Sequence, residues 1–419
     1  MMMSNFYMIF GFILAAYSIV GNDSIQTLGT FLHSNSHRRW WVLWLFSSSV
    51  MVSVILYGWF THDQDPSYSR LNKVYDKAVS LSEVQKALDY ATEALSADPV
   101  QQQVLAEFES LSTQLVETKT IFVRKPKLAL EAIENLKAKL APIEAEMDRD
   151  DIPNAQIVAI STVVEETRTV ISAMEANRDV SLFITWKHLL PPLALLILTR
   201  YGFPVSTSFL VLVTFRPGVL SSMLEKSLMG YLVAMVAAII LYLVVVGAIE
   251  KRWRKEGEVN IKPIWVVFQW GSTAFLWAMW LIQDMANIFV YLPRMPDFNW
   301  LMFGIVWMIA VQAFIYYSHG GKIQKVVTSK TNTHDIRSAT IVDLIYGLVL
   351  YYFKILNSVP MSTTWVFLGL LAGREIAFAI GSNKRKGLKN ALRLARKDMV
   401  KAGFGLGVSV AIAFLINYV

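Results

Sequence analysis

The stretch YGFPVSTSFLVL, residues 201–212, places three hydroxyl side chains in a row after a proline inside an apolar run. A second stretch, NSVPMSTTWVFLGL, residues 357–370, repeats this arrangement. Proline suits the first turn of a helix, because it fixes φ and lacks the N–H that would have no partner there. Each stretch therefore predicts a helix that starts at the hydroxyl cluster, within a segment apolar enough to lie in a membrane.

The composition of the chain is that of an integral membrane protein. Of its 419 residues, 54% are hydrophobic, and the mean hydropathy is +0.43. Several windows exceed the roughly 18 apolar residues that indicate a membrane-spanning helix. We predict an all-α polytopic membrane protein of about ten spans, in which the two short segments that open on a proline are either spans or re-entrant, broken helices. The predicted spans are 5–20, 41–60, 182–200, 203–220, 228–248, 263–282, 299–317, 339–356, 360–380 and 400–418.

One region departs from this apolar composition. Residues 61–180 carry 21 acidic and 13 basic side chains, and their apolar residues recur three and four positions apart. Prolines divide the region, and proline cannot continue a helix. We predict a soluble, acidic domain of about four helices, inserted between the second and third spans. The predicted domains are then 1–60 (transmembrane, first part of repeat 1), 61–180 (the insert), 181–249 (transmembrane, rest of repeat 1), 250–262 (a basic cytoplasmic linker) and 263–419 (transmembrane repeat 2).

Five predicted spans precede the basic linker and five follow it. An odd number of crossings gives the two halves opposite orientations, as in transporters built from inverted repeats. Basic segments favour the cytoplasmic side of a membrane. Placing them there puts both termini and the insert on the extracytoplasmic side of the cell membrane. The basic segments are 37–39, 250–262, 320–330 and 384–397.

Each predicted half carries an aspartate flanked by amides. VGNDSIQTLGT (20–30) opens the first half, and LIQDMANIF (281–289) ends the first span of the second half. An aspartate near the centre of a bilayer costs at least a few kcal/mol unless it meets a cation or a water-filled cavity. An interfacial aspartate that caps a helix is the alternative. We predict that the carboxylates and amides form a Na⁺ site, whose residues are Asn22, Asp23, Gln26, Gln283, Asp284 and Asn287.

The hydroxyl clusters predict an anion site. Backbone N–H groups and the positive end of the helix dipole gather at a helix N-terminus, and serine or threonine hydroxyls add further donors. Two such ends, one from each half, can hold one tetrahedral oxyanion. The alternative is that these hydroxyls bond to the preceding turn or join neighbouring helices. The candidate anion-binding residues are Ser206, Thr207, Ser208, Ser362, Thr363 and Thr364.

These four motifs, taken in order, resemble those of the inorganic phosphate transporter (PiT) family. GNDSIQTLGT and QDMAN are similar to the asparagine–aspartate motif that opens each half of that family, and PVSTS and PMSTT to its Pro-x-Ser-Thr-Thr motif. The resemblance covers the chain outside 61–180. It implies import of phosphate coupled to Na⁺ or H⁺ by alternating access. The six hydroxyl residues would then contact phosphate, and the six carboxylate and amide residues would bind Na⁺ beside it.

Other functions find less support in the sequence. The chain has no cysteine, its six histidines have no ligand spacing, and it shows no nucleophile–base pair, so we predict neither a cofactor nor an enzyme. The net charge of +7 reflects topology rather than nucleic acid, and the basic run at 384–401 suits anionic lipid headgroups. Transport of another oxyanion such as sulfate, and a non-transporting phosphate sensor that uses the insert, stay open. So do a homo-oligomer and an unknown partner of the insert.

Overall fold

The computed structural model describes ten stretches of the chain, which are helical apart from short turns and contain no β-strand. The predicted linker 250–262 and the basic segment 320–330 lie outside them. Unit 1 comprises Met1–Gly58, Ile184–Leu292 and Asp297–Val419, and unit 2 comprises Trp59–Phe183 and Pro293–Pro296. The described stretches are 2–96, 102–147, 153–176, 184–201, 203–215, 220–243, 263–318, 336–352, 362–381 and 385–418.

Mostly apolar helices build unit 1, and amphipathic helices build unit 2. The helices in chain order are α1 Met2–Ser34, α2 Trp40–Thr61, α3 Asn72–Ala78, α4 Ser82–Ser96, α5 Gln102–Arg124, α6 Ala129–Glu146, α7 Asn154–Ala176, α8 Leu190–Arg200, α9 Thr207–Phe215, α10 Leu220–Leu241, α11 Ile264–Phe289, α12 Phe298–Tyr317, α13 Ile336–Tyr351, α14 Thr363–Gly381 and α15 Arg385–Tyr418. Short 3₁₀ turns at Pro126–Leu128 and Trp186–Leu189 lead into α6 and α8.

Six segments in the described part of the chain are long and apolar enough to cross a membrane. A bilayer core of roughly 30 Å needs about 20 residues of helix. The fold is therefore that of an all-helical protein with candidate membrane spans, whereas the count of ten and the inverted repeat stay predictions. The six segments are Phe6–Ser24, Trp40–Thr61, Met223–Leu241, Ile264–Phe289, Phe298–Tyr317 and Gly387–Ile416, and Ala339–Tyr351 is a shorter apolar helix.

Two helices in the region of the first hydroxyl cluster are short in the described part of the chain. Helix α8 has 11 residues and α9 has 9. At about 1.5 Å per residue they measure roughly 16 and 14 Å, about half of the hydrocarbon thickness. These described lengths are about half of a membrane span, and a broken or re-entrant helix stays a prediction.

Two glycines hold α10 and α14 in close contact. A Cβ atom added at Gly369 would lie 2.2 Å from the carbonyl oxygen of Tyr231, and one added at Gly373 would lie 2.2 Å from that of Met235. Only glycine permits this approach, because any side chain would push the two backbones apart. The pair is spaced as in the Gly-x-x-x-Gly packing motif of membrane helices. This contact fixes the start of α14 beside α10.

Unit 2 has its own hydrophobic core. On α5 the buried apolar residues recur three and four apart, as an amphipathic helix requires. The segment Pro293–Pro296 belongs to this unit, and its Arg294 is buried. The Arg294 guanidinium donates to the Val123 carbonyl at 2.8 Å and lies over the rings of Tyr75 and Phe122, at 4.1 and 4.8 Å.

Asp65 lies in the same unit and is also buried. Its carboxylate accepts the backbone N–H groups of Ser67 and Ser69 at 2.7 and 2.9 Å, and it interacts electrostatically with Arg294. Burial raises the pKa of Asp65, while these donors and the guanidinium act against that rise. The unit thus supplies its buried acid with both hydrogen bonds and a cation.

Candidate functional site

The two aspartate motifs place their polar side chains inside unit 1. Asp23 on α1 and Asp284 on α11 are 1% and 0% exposed. Each carboxylate accepts from the amide of its own motif: Asn22 Nδ2 donates to Asp23 at 2.7 Å, and Asn287 Nδ2 donates to Asp284 at 2.8 Å. Asn287 follows Asp284 by three residues, so both occupy one helix face. Gln283 is buried beside them, and the side chain of Gln26 lies outside the described part of the structure.

The two carboxylates are neighbours in space, although 261 positions separate them in the sequence. Asp23 lies close enough to Asp284 for the two charges to repel each other. No described basic side chain forms a salt bridge with Asp23. Two carboxylates this close cannot both stay ionised in a low-dielectric interior without a cation or a proton.

The first hydroxyl cluster forms the N-terminus of α9. Ser206 is the N-cap, and its hydroxyl accepts the Phe209 N–H at 3.3 Å. Pro204 therefore lies two residues before the cap rather than in the first helical turn. Thr207 and Ser208 donate to Asp284 Oδ1 at 3.5 and 3.2 Å.

Asn287 completes this arrangement. Its amide nitrogen reaches the Thr207 hydroxyl at 3.4 Å and the Ser208 hydroxyl at 3.2 Å, in addition to Asp284. The hydroxyl motif of the first predicted half and the aspartate motif of the second thus form one hydrogen-bonded group.

The second hydroxyl cluster caps α14 in the same way. The Ser362 hydroxyl accepts the Trp365 N–H at 3.3 Å, with the same spacing as Ser206 and Phe209. The Ser362 N–H in turn donates to the Ser227 hydroxyl on α10 at 2.9 Å, which the close glycine contact between α10 and α14 makes reachable.

A hydrogen bond joins the two helix starts directly. The Thr364 hydroxyl donates to the carbonyl of Val205, one residue before the cap of α9, at 3.0 Å. Tyr346 of α13 donates to the Thr363 carbonyl at 3.3 Å and interacts electrostatically with both Asp23 and Asp284. The N-termini of α9 and α14 and the two carboxylates therefore belong to one buried site.

The six hydroxyls differ in what they touch. Ser206 and Ser362 cap their own helices, Thr207 and Ser208 contact Asp284, and Thr364 links the two helix starts. All six residues are buried. The alternative reading, in which such hydroxyls join neighbouring helices, thus describes part of what they do here.

Sequence reasoning missed a third buried carboxylate. Asp343 on α13 is 1% exposed and accepts the hydroxyls of Thr30 on α1 and Thr273 on α11, at 2.5 and 2.7 Å. A signal was present, because TIVDLIYGLVLYYF (340–353) is an apolar segment with a single acid, and an acid in a membrane segment is a functional hypothesis. Its partners lie 313 and 70 positions away, so the segment alone does not reveal them.

The arrangement offers groups that can bind a cation and groups that can bind an anion. Asp23 Oδ2 and Asn287 Oδ1 are buried oxygens that accept no hydrogen bond from the described residues; both are hard oxygens that suit Na⁺, and the carboxylate oxygen also suits a proton. The first N–H groups of α9 and α14 have no partner within their helices, and they suit an anion. No three acidic, histidine or cysteine side chains cluster in the described part of the chain.

Comparisons of the chain with protein-family models, with curated proteins and with solved structures give no match.

Proposed function

We propose that the protein is a secondary active transporter that imports inorganic phosphate across the cell membrane together with Na⁺ or H⁺. The observation that carries this proposal is the meeting of two capped helix N-termini and two carboxylates in one buried site. The resemblance of the four motifs to the inorganic phosphate transporter family supports the same substrate.

The anion binds at the helix starts. The N–H groups of Thr207 and Ser208 on α9, and of Thr363 and Thr364 on α14, are the first of their helices. They carry the partial positive charge of the helix end, and the hydroxyls beside them donate further hydrogen bonds. Phosphate presents several acceptor oxygens to such a set, and one anion can bridge two helix ends.

The coupling cation binds at the carboxylates. Phosphate carries between one and two negative charges at neutral pH, and it would enter a site that already holds Asp23 and Asp284. A cation on the free oxygens of Asp23 and Asn287 offsets this charge. Since Thr207 and Ser208 donate to Asp284, a cation that competes for the carboxylate frees these hydroxyls for the anion. Each ligand therefore raises the affinity for the other.

Transport follows from alternating access between two inverted repeats of about five spans each, with both termini outside the cell. Two observations support this organisation. The matching caps of α9 and α14 occupy equivalent motifs of the two halves, and the described part of α9 is about half a span long.

Uptake of phosphate into proteoliposomes tests the proposal. We expect uptake under an imposed Na⁺ gradient, a proton gradient or both, and its loss in Asp23→Asn and Asp284→Asn. The matched control is Asp297→Asn, because Asp297 caps α12 by accepting the Trp300 N–H at 2.9 Å and asparagine caps as well as aspartate does. Uptake that ignores both gradients, or that survives both site substitutions, rejects the mechanism. Competition by arsenate rather than by sulfate identifies phosphate as the anion.

A further inference from the structure

A file of buried or partly buried polar side chains runs along α1 away from the carboxylate pair. Asp23, Thr27, Thr30 and Ser34 follow one another at intervals of four, three and four residues, so they share one face of the helix. Thr27 and Thr30 are 2% and 6% exposed. From Asp23 to Ser34 the file is about 16 Å long, at roughly 1.5 Å per residue.

Helix α11 faces this file with a matching set. Gln269 hydrogen-bonds to Ser34 and accepts from Asn35 at 2.9 Å, while Asp284 neighbours Asp23. In the direction in which residue numbers increase along α1, they decrease along α11, so the two helices are antiparallel along the file. Their polar contacts thus continue from the carboxylate pair to the last residues of α1.

Asp343 on α13 lies beside the middle of this file, at Thr30. Its two oxygens accept the hydroxyls of Thr30 on α1 and Thr273 on α11, both of which are uncharged. No salt bridge joins Asp343 to any basic side chain of the described residues. A buried carboxylate with only neutral donors costs several kcal/mol if it stays ionised.

A cavity lies beside Asp343 and extends to Thr27 on α1. Its polar lining includes Thr27, Thr30, Tyr346 and Arg374, and Tyr346 interacts electrostatically with both Asp23 and Asp284. The Thr27 hydroxyl is buried and has no hydrogen-bond partner among the described residues, so it is available both to donate and to accept. Thr27 is one helical turn from Asp23.

We propose that Asp343 is a proton-binding site, separate from the carboxylate pair, and that protons reach it through the cavity that the Thr27 hydroxyl lines. The rest of the cavity wall is mostly hydrocarbon, from side chains such as Val342, Ile345 and Leu370. A proton needs only one oxygen of the Asp343 carboxylate, whereas a dehydrated Na⁺ needs several oxygen ligands around it. The proton binds to a carboxylate oxygen of Asp343, and its release returns Asp343 to the carboxylate.

The ionisable groups that share this cavity are Arg374 on α14, Tyr242 after α10 and Tyr346 on α13. Arg374 lies over the Tyr242 ring, with the guanidinium carbon 5.8 Å from its centre.

The proton site at Asp343 deepens the proposed function. It rests on that function in one respect only, which is that H⁺ would be a coupling ion for transport. Binding of a proton to Asp343 does not depend on what is transported.

Infrared difference spectroscopy of the full-length protein in liposomes tests proton binding directly. As pH is varied, the wild type should show the carbonyl-stretch band of a protonated carboxylic acid, and Asp343→Asn should lose one component of it. Asp297→Asn should keep every buried component, because its side chain is exposed. An identical band in wild type and Asp343→Asn overturns the proposal, and so does a wild-type spectrum without such a band.

A second variant separates the loss of the acid group from the loss of the fold. Asp343→Glu keeps the acid and should retain a titrating band at a displaced frequency, whereas a band identical to that of the wild type would contradict the assignment. Phosphate uptake then separates the two proposals. If uptake occurs, Asp343→Asn should abolish its acceleration by a proton gradient, and Thr27→Val should reduce that acceleration at least about tenfold. An absence of phosphate uptake with the infrared band intact would refute the transport proposal and keep the proton site.

Discussion

Both units bury aspartates, but they treat the charge differently. Asp65 of unit 2 accepts two backbone N–H groups and interacts with the buried guanidinium of Arg294. Among the described residues, Asp23 and Asp343 of unit 1 accept only from neutral amides and hydroxyls, and Asp23 lies beside the further carboxylate of Asp284. In unit 2 the fold itself provides the counter-charge.

This difference indicates which buried acids are structural and which are functional. A buried carboxylate without a cation costs several kcal/mol, and a fold keeps that cost where it serves a purpose. In unit 1, we propose, the counter-charge is the Na⁺ or H⁺ that binds together with the transported anion. Substitutions should therefore separate the two regions by what they damage.

The largest effect should come from Asp23→Asn. We expect a loss of gradient-driven phosphate uptake of at least about 100-fold, equivalent to about 2.7 kcal/mol. The unfolding temperature should stay the same or rise, because the substitution removes a buried repulsive charge. Uptake assays and thermal unfolding of the same preparation check both parts. A variant that loses stability and uptake together would place Asp23 with the structural acids.

For Arg294→Ala we expect the opposite of the Asp23→Asn result, because this substitution should lower stability. The guanidinium stacks on two rings and donates to a carbonyl, so its loss should destabilise unit 2 by about 3 kcal/mol. Hydrogen exchange along α5, which carries Phe122 and Val123, is the measurement. Arg168→Ala is the control, since Arg168 makes only an exposed ion pair with Glu144 and its removal should leave exchange nearly unchanged. Unchanged exchange in Arg294→Ala would show that unit 2 does not depend on this cation.

A backbone contact, rather than a charge, is tested by Gly373→Ala. The added methyl group would meet the Met235 carbonyl and push α14 from α10, at a cost of about 1–3 kcal/mol. The start of α14 should shift with it, because Ser362 is held by Ser227. We expect a lower unfolding temperature and weaker phosphate binding. Gly407→Ala is the control, since a Cβ there meets no atom within 4 Å.

The smallest effect concerns pH. Burial raises the pKa of Asp65 above its ordinary value of 3.8, so the folded protein holds this proton to higher pH than the unfolded chain does. The free energy of unfolding should therefore fall as pH rises from about 3.8 through the raised pKa, by at most about 1.4 kcal/mol per unit of pKa shift. Asp65→Asn should flatten this slope in denaturant unfolding measured as a function of pH. An equal slope in wild type and variant would contradict the assignment.

The sequence predicts the helical class and six of the long apolar segments, because both follow from local composition, whereas the count of ten spans stays a prediction. It also predicts helix starts near the two hydroxyl clusters, and α9 and α14 begin at Thr207 and Thr363. It does not predict that Ser206 and Ser362 are the caps and that Pro204 stands outside the helix. That detail depends on local backbone geometry, which the residue pattern leaves open.

Long-range partners could not be predicted either. Thr30 and Asp343 are 313 positions apart, and Arg294 donates to a carbonyl 171 positions away. Nothing in either local segment identifies the other, since these contacts arise only when distant helices pack. The role of each buried aspartate is set by such contacts, so the comparison between Asp65 and Asp23 requires the structure.

The central claim is tested most directly by the mutual dependence of phosphate and cation binding. Calorimetric titration of phosphate into the purified protein, at several concentrations of Na⁺ and several pH values, measures this coupling. The account predicts that Na⁺ or protons raise the affinity for phosphate at least about tenfold, and that Asp23→Asn abolishes the dependence. An affinity for phosphate that is the same at every cation concentration and pH would contradict it.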